Sequence, residues 1–302
     1  MLDLLTSTCK TTGLVGSKIV SDEMIEFWLS DILPLMFDTD RAIQSKAVEA
    51  FEKGLSSMDV QTIHSSKQWN AIKSAMSTQH APKIHKLRED RNHHWHRVWG
   101  FMIRILDKEL LKGASTINSF LSIVELGFRS TDNDIRAESF LCWRLLIEIF
   151  AKYNELSSPK RLKLICIPLK SSQSKSAQAA EMKLRVWWYL LTCFGEKLSQ
   201  HFEAVVEPFL VFCFGSTTST KTAVCAARQY EIVRELAIPC LIKLLSSERN
   251  EYLDRILRDN KLEPLSVPSP LLEITFLEKN WQPLVNGAME AIRLIVSTHL
   301  CC

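Results

Sequence analysis

Apolar residues along this chain recur at helical spacing and not in alternation. The clearest stretch is 130–153, STDNDIRAESFLCWRLLIEIFAKY. There Ile135, Cys142, Leu146, Ile149 and Tyr153 fall on one helical stripe. Trp143, Ile147 and Phe150 widen that stripe well past one face, and a helix apolar on more than one side packs against neighbours on both sides. Residues 130–132 supply a polar start, with Thr131 and Asp134 at capping-box spacing. The same reading predicts helices over 23–37 and 42–55, and over 115–128 before the Trp143 helix. It predicts 158–169 before a helix around Trp187, 201–214 before 223–245, and a last helix over 284–300. Polar breaks at 170–178, 215–222 and 263–270 read as loops on one edge of a helical stack.

The tryptophans carry a period. RVWGFMIRIL (97–106), LCWRLLIEIF (141–150) and RVWWYLLTCF (185–194) align on Trp99, Trp143 and Trp187, with steps 143−99 = 44 and 187−143 = 44. A weaker similarity joins 37–51 to 128–143 and sets Ile43 against Ile135, 92 residues on. A period in the forties built from helix pairs is that of armadillo and HEAT repeats, in which stacked neighbours bury a shared core. The expected fold is all-α: a right-handed α-solenoid of about six HEAT-like helix pairs, running as one domain over 1–302 with Trp99, Trp143 and Trp187 in the repeat core.

Composition agrees. Glycine is scarce (9) and so is tyrosine (4), while 46% of the 302 residues are hydrophobic and 24% charged, which suits a folded helical chain. The 9 cysteines show no CxxC spacing. Several, including Cys142, Cys193 and Cys240, stand in apolar helical runs, as reduced thiols of a nuclear or cytosolic protein do. The start MLDLLTSTCK lacks the basic flank and apolar core of a signal peptide, and no uncharged run is long enough to span a membrane.

Charge is uneven although the net is only +3. Residues 1–60 carry ten acids and five bases, whereas 158–185 carry seven bases and one acid. Two basic groups stand out: Lys83, Lys86, Arg88, Arg91 and Arg97, interleaved with histidines, and Lys160, Arg161, Lys163, Lys170 and Lys175. Repeat stacking would bring such groups into rows on one surface, where phosphate oxygens of DNA or of a phosphorylated segment would fit. A scattered, solvated lysine face remains the other reading.

Sites with enzymatic or metal chemistry find little support. EDRNHHWHRVWGF (89–101) holds three histidines, but only His93 and His96 share a helix face, and HExxH is absent. Solvated or capping histidines fit best, with a metal, a pH switch or a phosphate contact as alternatives. There is no GxSxG, GxxxxGK[ST] or GxGxxG, and TTGLVGSK (11–18) has the wrong spacing for a phosphate loop and reads as a turn. Cys166 sits among apolar neighbours, unlike an activated thiolate. Residues 185–188 match a loose phosphatase-docking pattern, RVx[FW], but such motifs bind as extended peptides and these lie in an apolar repeat helix. The expectation is a non-enzymatic chain without cofactors.

The stretch 125–215 resembles the N-terminal HEAT domain of the telomere-associated Rif family (Rap-interacting factor). The resemblance rests on Phe128-Arg129-Ser130, Ile135-Arg136, Trp143, the RLKL run in Lys160 to Leu164, and the K-x-x-VWWYLL run from Lys183 to Leu191. It implies a nuclear, chromosome-associated scaffold, acting at telomeres, in replication timing and in the choice of double-strand-break repair. It implies partners that are DNA or phosphorylated damage-response proteins, and protein phosphatase one recruited through regions outside this chain. Family chains are far longer, with a disordered centre and a basic C-terminal part, so a fragment or short isoform is expected. The rival expectation is a HEAT-repeat adaptor for a protein partner, with no role at nucleic acid.

Overall fold

The structure is a computed structural model that describes residues 25–57, 59–171, 176–215, 225–245, 251–266, 271 and 289. The predicted last helix (284–300) apart from residue 289, the turn at 11–18 and Lys175 lie outside these residues. Among the described residues the chain is helical with no strand. It divides into two compact units, Met1–Ser130 and Thr131–Cys302.

In the first unit a wide helical stretch, Phe27–Ile32, runs into the turn Leu33–Leu35. Then come α1 (Arg41–Ser57), α2 (Val60–Ser65), α3 (Trp69–Ala75), α4 (Ala81–Glu89), α5 (Trp95–Leu106) and α6 (Ala114–Phe128). Buried Gln44 of α1 donates to the Met36 carbonyl (2.9 Å) and accepts from Asn92 Nδ2 (2.6 Å), which ties α1 to the α4–α5 turn. Gly54 lets the Trp28 ring lie on α1, since a Cβ there would meet that ring at 2.6 Å.

The second unit contains α7 (Asn133–Lys152), α8 (Pro159–Lys170), α9 (Ala177–Phe194), α10 (Glu207–Phe214), α11 (Ala226–Gln229), α12 (Glu231–Leu245) and α13 (Glu251–Asp259). α7 and α9 lie side by side, and α9 also packs on α12. α7 buries Ile135, Cys142, Trp143, Leu146, Ile147, Ile149 and Phe150, so both of its flanks are covered, as its broad stripe predicts.

The 44-residue period has a physical counterpart. Each periodic tryptophan is buried, and its indole N–H donates to a main-chain carbonyl of the helical segment that follows. Trp99 bonds Phe120 O on α6 (3.0 Å), Trp143 bonds Ile165 O on α8 (2.9 Å), and Trp187 bonds Val205 O ahead of α10 (3.0 Å). A buried indole needs a partner for its one donor, and the repeat supplies it in the same way each time.

The structure also corrects several expectations. The α7 cap is Asp132, whose carboxylate accepts from the amides of Asp134 and Ile135, and not the Thr131–Asp134 pair. Ile43 is 37% exposed whereas Ile135 is 7% exposed, so their alignment does not hold as a core equivalence. The helix expected over 223–245 breaks where Tyr230 is extended, giving α11 and α12.

The runs 23–37 and 201–214 are likewise not uniform. Wide π-helical turns at Phe27–Ile32, Met76–His80 and Phe202–Val206 each end two residues before a proline: Pro34, Pro82 and Pro208. Proline lacks the amide that an α-helix uses at i−4, and its ring crowds that carbonyl; the wider turn relieves the clash. At Ala204, four residues before Pro208, the carbonyl faces the Cys166 thiol at 3.9 Å.

Candidate functional site

The basic groups fall one in each unit. In the first, Lys83 and Lys86 are exposed on α4, and the Lys83 ammonium lies 5.3 Å from the centre of the Phe37 ring. Arg88 departs from the expected exposed row. It is only 8% exposed, burial lowers its pKa, and its guanidinium sits 3.4 Å from His85. Arg91 is exposed and takes a left-handed backbone (φ 53) just past the end of α4, where the Asn92 amide returns to the Leu87 carbonyl. Arg97 is paired with Glu52 at 2.5 Å.

The histidines next to these bases are packing and turn residues. His93 and His94 lie with ring centres 4.8 Å apart and ring planes tilted by 56°, and the His94 amide donates to the Asn92 side chain ahead of α5. The His94 pKa is lowered by burial first, then by His93, Arg97 and His96.

In the second unit α8 carries Lys160, Arg161, Lys163 and Lys170 and no acidic residue. Lys160, Lys163 and Lys170 are exposed. At 100° per residue they fall within one narrow arc together with Ile167, which is 58% exposed. Arg161 turns aside, 3.5 Å from Glu155 and stacked over Phe150 at 5.7 Å, so it braces the helix start. The site is therefore a stripe of three lysines about 15 Å long with one aliphatic side chain in it.

Lys183 of α9 holds α8 in place. It is 3% exposed, and its ammonium donates to the Ser171 carbonyl at the α8 C-cap (2.7 Å), where the helix dipole is negative. The same ammonium lies 4.6 Å from the centre of the Phe212 ring, and burial pushes its pKa down to about 8. Residues 186–188 are buried within α9, which removes them as an extended docking motif. Cys166 is buried and its thiol is pushed up to about 11, opposite to what a nucleophile needs.

A cluster absent from the sequence reading lies across α7 and α9. Arg144 stacks over the Tyr189 ring at 4.3 Å and pairs with the Glu263 carboxylate. Trp188 Nε1 donates to the Glu263 carbonyl at 2.8 Å. Arg185, oriented by Glu181 at 2.8 Å, donates to the carbonyls of Asn260 and Lys261. The only hint in the sequence is that Arg144 and Arg185 are cations inside apolar tryptophan helices, and such cations need partners.

The helices that carry the RLKL and VWWYLL runs, α8 and α9, are thus joined through Lys183 and the Ser171 carbonyl. A comparison with protein families agrees: residues 17–206 match the family described as Rap1-interacting factor 1 N terminal. The chain belongs to this family.

It is similar to the telomere-associated protein RIF1 of Drosophila melanogaster, with 46% identity over 98% of this chain and 21% of the fly protein. The chicken and human proteins of the same name are 32% and 31% identical over 61% of the chain, which corresponds to 8% and 7% of their own length. The chain therefore spans about a fifth of the fly relative and less than a tenth of the vertebrate ones. No solved structure matches it. Among the described residues no helix is long and apolar enough to cross a membrane, and no group of three or more His, Cys, Asp or Glu side chains is placed to hold a metal ion.

Proposed function

We propose that this chain is a non-enzymatic chromosomal scaffold of the Rif type. In this reading its helix pairs stack as a right-handed HEAT-like solenoid along the whole chain. It works in the nucleus on chromosomes, including telomeres. It serves replication timing, telomere maintenance and double-strand-break repair choice by holding DNA or a phosphorylated protein. Protein phosphatase one is engaged through other parts of the full protein. The relatives' name, telomere-associated protein RIF1, supports the location.

One observation carries the contact: Lys160, Lys163 and Lys170 share an exposed face of a helix that has no acidic residue. None of the three makes an ion pair among the described residues, so their charge is open to phosphate oxygens.

The test is fluorescence anisotropy with labelled single- and double-stranded DNA and a phosphoserine peptide across a salt series, repeated on Lys160→Glu/Lys163→Glu. Binding that weakens steeply with salt and is lost in the variant is expected. A second reading, an adaptor for a protein partner alone, is favoured by Ile167, whose 58% exposure amid the lysines offers an apolar contact. That reading predicts binding insensitive to salt and abolished by Ile167→Asp.

A further inference from the structure

Residues 260–265 belong to no helix beyond the turn that closes α13, and 262–266 run without regular structure. They are held by side chains of α7 and α9. Two of the contacts ignore sequence: Arg185 and Trp188 donate to the main-chain carbonyls of Asn260, Lys261 and Glu263. A third reads a side chain, and the segment's own leucines are buried. Arg144 takes one oxygen of Glu263, and the side chains of Leu262 and Leu265 are buried while Pro264 between them is exposed. Main-chain capture combined with pockets for selected side chains is how folded domains hold extended peptides.

We propose that this α7–α9 surface is a binding site for an extended peptide of the pattern Leu-acidic-x-Leu, and that the chain's own segment, Leu262-Glu263-Pro264-Leu265, occupies it as an internal ligand. A peptide of this pattern on a partner protein competes for the same donors.

Three observations make the occupant displaceable. Apart from the Leu262 amide, which closes α13 on the Leu257 carbonyl at 2.8 Å, residues 262–266 lie in no helix or strand. The Arg144 and Glu263 side chains are 39% and 27% exposed, so water reaches the pair. The second Glu263 oxygen is buried with no hydrogen-bond partner among the described residues, which leaves the internal fit incomplete. Tethering nevertheless gives the internal segment a high effective concentration, so a free peptide must overcome it.

This inference goes beyond the proposed scaffold role and does not depend on the α8 lysines. The test uses a fluorescent peptide of residues 258–266 and the full chain. Leu262→Ala/Leu265→Ala weakens the internal ligand and is expected to bind the peptide at least about tenfold more tightly than the parent chain does. Adding Arg144→Glu is expected to reverse that gain by about tenfold or more, because the glutamate repels the peptide's acidic residue.

Adding Lys160→Glu/Lys163→Glu instead leaves the gain intact, which separates this site from the basic face. Peptide binding that persists undiminished with Arg144→Glu overturns the proposal, as does a double variant that keeps its helical circular dichroism yet binds no better than the parent. If the double variant does not fold, Glu263→Gln keeps both leucines in place and weakens only the Arg144 pairing. A folded Glu263→Gln chain without improved peptide binding also overturns it.

Discussion

The indole N–H of Trp143 on α7 donates to the carbonyl of Ile165 on α8 at 2.9 Å, 22 residues further along the chain. Trp99 and Trp187 make the same kind of bond 21 and 18 residues ahead. The tryptophan thus fills the space between paired helices and also fixes how far one helix slides along the other. Trp143→Ala is expected to lower stability by ~3–5 kcal/mol, from lost packing and an incompletely filled cavity. Trp143→Phe keeps most of the volume and loses chiefly the hydrogen bond, so it is expected to cost about 1–2 kcal/mol. Urea unfolding of the three proteins measures both; equal midpoints would contradict the packing role.

Lys183 gives a pH signature. Its folded pKa of about 8 lies below the ordinary 10.5 because burial disfavours the charged form. Between these values the unfolded chain binds the proton that the folded chain has released. The penalty for burying the charge is therefore complete below pH 8 and relieved as pH rises toward 10.5. The stability of the parent relative to Lys183→Met is expected to climb over that interval. Subtracting the variant's profile removes the opposing effect of the buried thiols of Cys142 and Cys240, whose pKa values are raised by burial. Paired denaturant titrations from pH 7 to 10.5 would read the slope, and a flat difference would argue against a charged, buried Lys183.

Gly54 is a steric requirement. Alanine is the better helix former by about 1 kcal/mol. However, its Cβ would stand 2.6 Å from the buried Trp28 ring, and overpacking of that kind costs ~1–3 kcal/mol. Gly54→Ala is expected to be destabilising despite the propensity gain. Pairing it with Trp28→Leu, which clears the ring, should make the alanine neutral or favourable, as a double-mutant cycle of thermal midpoints would show.

The cap on α7 provides a compact contrast. Asp132→Ala is expected to cost about 1 kcal/mol, because two amides of the first turn lose their acceptor. Thr131→Ala should stay within roughly 0.5 kcal/mol, as its side chain is not the cap.

Legibility in the sequence followed the range of the interaction. Helices α5, α7, α8 and α9 could be placed because their burial pattern is written within one window of residues, and the tryptophan period aligned α5, α7 and α9 with one another. The exposed lysines of α8 were named because seven bases and one acid crowd into 158–185, whereas the arc that Lys160, Lys163 and Lys170 share needed the helix bounds. The cap was misplaced by one residue, since Thr131 and Asp132 are both good caps and backbone geometry chooses between them. Arg88 was grouped with exposed bases because nothing local says that α4 turns it inward, and the wide turns before Pro34, Pro82 and Pro208 were hidden because an apolar run looks continuous through a proline.

The sequence by itself determined the helical class and the family, since each depends on periodicity or on short runs such as RLKL and VWWYLL. Only the tertiary structure decided that Lys183 reaches back to Ser171, that Arg161 pairs with Glu155 while Lys160 and Lys163 make no ion pair among the described residues, and that Arg144, Arg185 and Trp188 converge on residues 260–265, up to 119 positions away. The physical reason is that hydrophobic spacing sets which face of a helix is buried, whereas the partner of a given polar group is set by which distant element packs there and whether its donors and acceptors can be satisfied.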